Sequence, residues 1–216
     1  MPSLGAPQTR KGNLGGSTEL LLSFAVSDDV FATLEQVDLE LCRNPDGFDK
    51  AVSSPLPFML PLNLVISKIG SDSDTLLRNL FEHYCHDMSE WFEIDTGADG
   101  RYAHDTSSVW RDGHDVYLAR VGDSIAGFAL IGSGNEWVGE IGAHDVHEFF
   151  IMRRFRRRGV GQSMTTFLWN EHLGEWLVRV LEANTPALLF WRNAISRYSV
   201  GSYREEQRIV NGRPWR

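Results

Sequence analysis

The stretch His144 to Ser163, HDVHEFFIMRRFRRRGVGQS, constrains this chain more than any other. Phe149, Phe150, Ile151 and Met152 form a run without turn residues, the pattern of a strand covered on both faces. Arginines crowd Arg153 to Arg158, and Gly159-Val160-Gly161 follows them. The segment therefore reads as a strand, an arginine-rich loop and a glycine turn that opens a helix. At such a junction the first helical N–H groups lack partners and carry the positive end of the helix dipole, so a phosphate is favoured there. Glycine lets the backbone approach it closely. The pattern is not the dinucleotide fingerprint, whose third glycine would fall on Met164, and it has no Walker lysine-serine pair.

The flanks supply alternating strands and helices. Downstream, Trp176 to Leu181 reads as a strand and Asn184-Thr185-Pro186 opens a helix with Ala187, Phe190, Trp191 and Ile195 on its buried side. Tyr203 to Val210 reads as a last strand. Upstream, Leu64 to Ile69 alternates as a strand, and Ser71 to Asp74 offers capping groups for a helix striped by Leu76, Leu77, Leu80, Phe81, Tyr84, Met88 and Trp91. Thr96 to Gly113 reads as loop. Val116 to Val121 and Ile125 to Ile131 flank Gly122-Asp123-Ser124 as a hairpin. The fold class is α/β, a mixed central sheet flanked by helices.

Ahead of this lies a flexible tail over 1–18, then 19–61, where Glu19 to Val26 reads as a strand and Val30, Leu34, Val37 and Leu41 recur at helical spacing. A proline-rich linker closes this strand-helix extension, which is expected to pack on the core or on a partner subunit. Residues 62–216 form the main domain.

The spacing Arg156-x-x-Gly159-x-Gly161 resembles the acyl-coenzyme A pyrophosphate loop of the GNAT superfamily of N-acetyltransferases, and the order of elements from Leu62 onward resembles theirs. The resemblance implies a central strand that splays from its neighbour and pairs main-chain groups of Phe150, Ile151 and Met152 with the pantetheine arm of acetyl-coenzyme A. It implies a phosphate cradle of Arg156, Arg157, Arg158, Gly159, Val160, Gly161, Gln162 and Ser163, with Asn184 touching the cosubstrate or capping its helix. Two positions match places where relatives carry a general base: Asp145 and His147, which a regular strand puts on one face. Glu148 faces the other way unless a bulge changes the parity. Relatives often place a tyrosine where this chain has Trp191; Tyr198 substitutes only if the helix end turns inward.

The wider composition narrows the chemistry. A formal charge of −8 disfavours general nucleic-acid binding and suits a cationic small molecule. Cys42 and Cys85 are too few for a disulfide scaffold, and no secretory segment or apolar run of about 18 residues is present, so a cytoplasmic setting without membrane is expected. His83 and His86 read as surface residues, and no metal is expected. The expected function is transfer of acetyl from acetyl-coenzyme A to a primary amine of a small molecule, by direct attack in a ternary complex, by a chain that is a candidate homodimer. Two alternatives stand beside it: a coenzyme A-binding regulatory protein without turnover, and a nucleic-acid binder using the arginines.

Overall fold

A computed structural model describes residues 17–26, 63–133 and 142–210. The helix expected near 28–41, the proline-rich linker, the tail, the loop at 134–141 and the last turn lie outside the described residues. Seven strands form one sheet: β1 Ser17–Val26, β2 Leu64–Ile69, β3 Asp115–Val121, β4 Ser124–Ser133, β5 His144–Ile151, β6 Gly174–Leu181 and β7 Arg204–Val210. Their order across the sheet is β2-β3-β4-β5-β6-β1-β7. Only β5 and β6 run parallel, joined by the crossover helix α3, Val160–Glu171. The remaining helices are α1 Asp74–Met88, α2 Ser107–Arg111 and α4 Thr185–Tyr198. No helix among the described residues is long and apolar enough to cross a membrane.

Alternation along the inner strands separates two cores. Leu20, Leu22, Phe24, Val26, Ala129, Ile131, Val146, Ile151, Val178 and Val180 face one way and pack with Met164, Leu168 and Trp169 of α3 and Trp191 and Ile195 of α4. Val116, Leu118, Phe128, Leu130 and Phe150 face the other way, onto Leu77, Leu80, Phe81, Tyr84 and Cys85 of α1. The aromatic stripe of α1 is thus core, as helical spacing implies. Trp91 lies beyond the helix end.

Two local expectations are corrected. The stretch read as loop carries α2, and its Thr106 hydroxyl and Trp110 indole N–H donate to Asp74 Oδ1 at 2.7 and 2.8 Å. The Asp74 carboxylate is therefore used to fasten that loop onto α1, and no side chain caps the helix start. The N-terminal strand also sits differently. Expected to pack on the core or on a partner subunit, β1 lies inside the sheet itself, antiparallel to β6 on one side and to β7 on the other.

Candidate active site

The site is organised where β5 leaves β6. The two strands pair only over His144, Asp145 and Val146 against Trp176, Leu177 and Val178, and beyond that point they separate. A gap opens beside Phe149 and Ile151. The Met152 amide donates to Ala126 O at 2.8 Å, toward β4. Since main-chain groups alternate sides along a strand, those of Phe150 also face β4 while those of Phe149 and Ile151 face the gap. Of Phe150, Ile151 and Met152, only Ile151 therefore presents main-chain groups there; the other two are corrected. Phe149 joins Ile151 instead.

Past the strand a 3-10 turn, Arg153–Phe155, leads into the glycine junction. Gly159 holds φ at 82°, and Arg157 is also left-handed at 58°. That turn points the first amides of α3 out of its end. Ser163 does not join them: its amide and its hydroxyl both donate to Gly159 O, at 2.9 and 3.1 Å. The amides of Gly159, Val160, Gly161 and Gln162 precede the first intrahelical bond, which leaves four donors at a dipole's positive end. Arg157 and Arg158 are exposed beside them. Gly161 has a packing reason as well, because a Cβ there would lie 3.1 Å from the Phe190 ring.

Arg156 points elsewhere. Its Nε donates to Ile151 O at 2.7 Å, its guanidinium lies 5.5 Å over the Phe150 ring, and Nη2 pairs with Asp87 of α1. Arg153 holds the other oxygen of Asp87, through Nε at 2.9 Å and Nη2 at 2.7 Å. Burial works against the Asp87 charge, but hydrogen bonds from Arg153 and Arg156 outweigh it and hold the carboxyl below its usual range. A depressed folded pKa means stability that is present above the unfolded value near 3.8 and is lost as pH falls through the folded one. Asp87→Asn is accordingly expected to lower the chemical-denaturation midpoint at pH 7. The deficit relative to wild type should shrink when unfolding is measured below about pH 4; a constant deficit would mean that shape, not charge, is lost.

On the α1 face of the gap a bulge gathers Asp145, His147 and Glu148 of β5, with Arg179 of β6 and His114 beside them. Glu148 pairs with Leu130 and Val146 with Ile131, so His147 is the extra residue. The bulge turns Glu148 to the face that carries Asp145, as a change of parity requires. Asp145 is fully buried and bound by Arg179 of β6, Nε to Oδ1 at 3.2 Å and Nη2 to Oδ2 at 2.9 Å. His147 lies over Gly132 and edge-on to His114, with ring centroids 4.4 Å apart. A Cβ on Gly132 would come within 2.7 Å of both rings. His147 Nε2 has no hydrogen-bond partner and sits 3.5 Å from Asp145 Oδ2.

These surroundings set the acid-base chemistry. Burial pushes His147 down to about 4, further than the Asp145 charge can restore it. Burial raises Glu148 to about 7, opposed by a hydrogen bond from Tyr84 and by the Arg179 charge. Asp145 is committed to a guanidinium. The group whose proton affinity matches neutral pH is therefore Glu148, which the strand period alone would turn away. An acidic residue within an apolar strand run was the available signal; Arg179 and Tyr84 left none, because each sits far from the motif in sequence.

On the opposite face the gap is aromatic. Phe149 stacks on Phe190 at 5.7 Å and meets Trp191 edge-on at 4.9 Å. Tyr198 is not brought there: it is buried against Phe24 and Trp169, and its hydroxyl donates to Asn170 Oδ1 at 2.7 Å. Asn184 caps α4, its Oδ1 accepting from Ala187 N at 3.1 Å. Among the described residues no cluster of His, Cys, Asp and Glu is arranged to hold a metal.

The family model "Acetyltransferase (GNAT) family" matches residues 77–194, from α1 to within α4, which is more than half of the chain. No curated protein matches the sequence significantly. Among solved structures, a conserved protein of unknown function from Staphylococcus epidermidis is 12% identical with a TM-score of 0.48, covering 90% of this chain; this chain spans 60% of its length. An aminoglycoside acetyltransferase from an uncultured soil metagenomic sample is 17% identical with a TM-score of 0.49, covering 71% of this chain and 97% of that one. Likeness at that level transfers neither substrate nor mechanism. The family match does not depend on it, and it covers the splayed strand, the glycine junction and both flanking helices: the chain belongs to the GNAT family of acetyltransferases.

Proposed function

We propose that the protein transfers acetyl from acetyl-coenzyme A to a primary amine of a small molecule, with Glu148 as the general base. One observation carries this reading: the gap between β5 and β6 has an aromatic wall on one face and a carboxyl near neutral pKa on the other. The residues present fit the cosubstrate. Main-chain groups of Phe149 and the Ile151 N–H, its carbonyl being taken by Arg156, would hold its amide arm, and the amides of Gly159 to Gln162 with Arg157 and Arg158 would hold its diphosphate. When bound, the thioester supplies an activated acyl carbon. Glu148 removes the proton from the incoming ammonium so that a neutral nitrogen attacks the acyl carbon; the C–S bond breaks as the amide forms, and the thiolate leaves to be protonated by water. The aromatic wall excludes water, and His147 Nε2, which has no hydrogen-bond partner, offers an acceptor to a cationic amine.

The test is release of free thiol from acetyl-coenzyme A with a mixed library of amines, alongside calorimetric titration with coenzyme A. Because the base must be unprotonated, kcat/KM is expected to rise with pH through about 7 and then level off until the amine or a second group titrates. A profile already flat between pH 5 and 8 would remove Glu148 from this role. Trp191 motivates a second reading, coenzyme A binding without turnover. It fills the helix position where relatives often carry a tyrosine, and the Tyr198 hydroxyl is bound to Asn170. Tight titration with no thiol release for any amine selects that reading.

A further inference from the structure

Asp145 is more buried than any other carboxylate in the site, yet it does not face an open space as a base should. One edge of the Arg179 guanidinium is turned to it: Nε donates to Oδ1 at 3.2 Å, and Nη2 stands 2.9 Å from Oδ2 as an ion pair that is not aligned as a hydrogen bond. Arg179 lies one residue beyond the last paired position of β6, on the face shared by Asp145 and Glu148. Two carboxylates thus flank one cation at the mouth of the gap. The groups around Glu148 are few: Tyr84 and Cys85 on α1, Arg179 on β6, Asp145 and His147 on its own strand, with His114 behind His147. Neighbouring Leu130 and Gly132 of β4 carry no charge. Arg179 is the one arginine or lysine in this set.

We infer that Asp145 is a positioning residue: by gripping Arg179 edge-on it keeps that guanidinium from pairing with Glu148, and so leaves the Glu148 carboxylate free to take a proton from the acceptor amine. The inference rests on Glu148 being the base. A guanidinium presents a planar fork that a carboxylate fills side-on, and such a pair is far stronger than a contact at longer range. With that edge held against Asp145, Arg179 acts on Glu148 through space, and the Asp145 charge opposes that influence. Without Asp145, the same cation sits beside a single carboxylate in a dehydrated site. It would close onto Glu148, which would become a spent ion-pair partner.

The experiment is carboxyl-carbon NMR of the full chain labelled at glutamate, with the Glu148 signal identified by its loss in Glu148→Gln. In wild type the signal should titrate near 7. In Asp145→Asn it should move down by about one pH unit or more, because a like charge is lost and a cation is gained. In the double variant Asp145→Asn/Arg179→Gln it should return to the wild-type value or above. A structural loosening would instead let water in and lower both variants alike. An unchanged or raised titration in Asp145→Asn, or a lowered one in the double variant, overturns the inference. Should Asp145→Asn not fold, the double variant leaves no unpaired charge and decides alone: at or above wild type upholds it, and a fall overturns it. Loss of thiol release in Glu148→Gln tests the base itself, so the two failures are distinguishable.

Discussion

Replacing Glu148 by Gln is expected to lower acetyl transfer by about 10²–10⁴-fold, the usual contribution of a positioned general base. The affinity for coenzyme A should change little. The substitution keeps the side chain's length and leaves the Tyr84 hydroxyl an amide oxygen to donate to, so the core between α1 and the sheet is preserved. What it removes is the lone pair that accepts the proton. Glu148 lies on the α1 face, whereas the amides of Gly159 to Gln162 and the Phe149–Trp191 wall lie along the loop and the other face. A fall in kcat with an unchanged calorimetric Kd is therefore the expected split. Activity within a few-fold of wild type would remove Glu148 as base and return attention to His147, whose depressed pKa of about 4 makes it neutral but weakly basic.

The second large effect is structural. Gly127 of β4 faces Ile151 across the β4–β5 pair, and a Cβ there would collide with the Phe150 carbonyl oxygen while lying 2.9 Å from Ile151 Cδ1 and 3.1 Å from its Cα. Backbone cannot swing aside as the end of a long side chain can. Gly127→Ala is expected to destabilise the protein by about 3 kcal/mol, the upper end of overpacking costs. It should also weaken coenzyme A binding, because the displaced residues are those that edge the gap and lead into the arginine turn. Chemical denaturation and calorimetry read the two effects separately. Gly122→Ala is the comparison: nothing lies within 4 Å of its Cβ position, so only the left-handed backbone, with φ at 57°, opposes the change. That should cost about 1 kcal/mol. Equal losses in the two variants would contradict the packing argument.

Local signals reached most of the architecture. The continuous apolar run at Phe149–Ile151, the glycines at 159 and 161 and the periodicity of α1 each act over a few residues, and each became the element that its pattern implies. Long-range pairing left no such trace. Nothing in Glu19 to Val26 says that its partners are β6 and β7, because a buried strand reads the same whichever neighbours it takes. The missed helix α2 is only five residues long and has too few turns to show a period.

The site divides along the same line. The glycine junction is encoded in one short segment and was legible. The proposed base hinges on a single extra residue in β5, and the register shift between Leu130 and Ile131 reverses the face of everything before it. Strand alternation grouped Asp145 with His147 and excluded Glu148; the bulge gathers all three. Arg156 shows a different limit. Its motif position suggested a phosphate ligand, but a carboxylate 69 positions upstream, Asp87, competes for the same guanidinium.

The placement of β1 bears on how the molecule is made. Leu22 meets Val178 roughly 150 residues later in the chain, and Ser23 meets Arg204 on its other side. Until that early segment threads between its two late neighbours, both keep bare hydrogen-bonding edges. Non-local closure of this kind slows folding and leaves sticky intermediates. Deleting the first 26 residues would thus do more than shorten the polypeptide: it would split β7 from the rest of the sheet and leave β6 as a raw border beside the gap that it shares with β5.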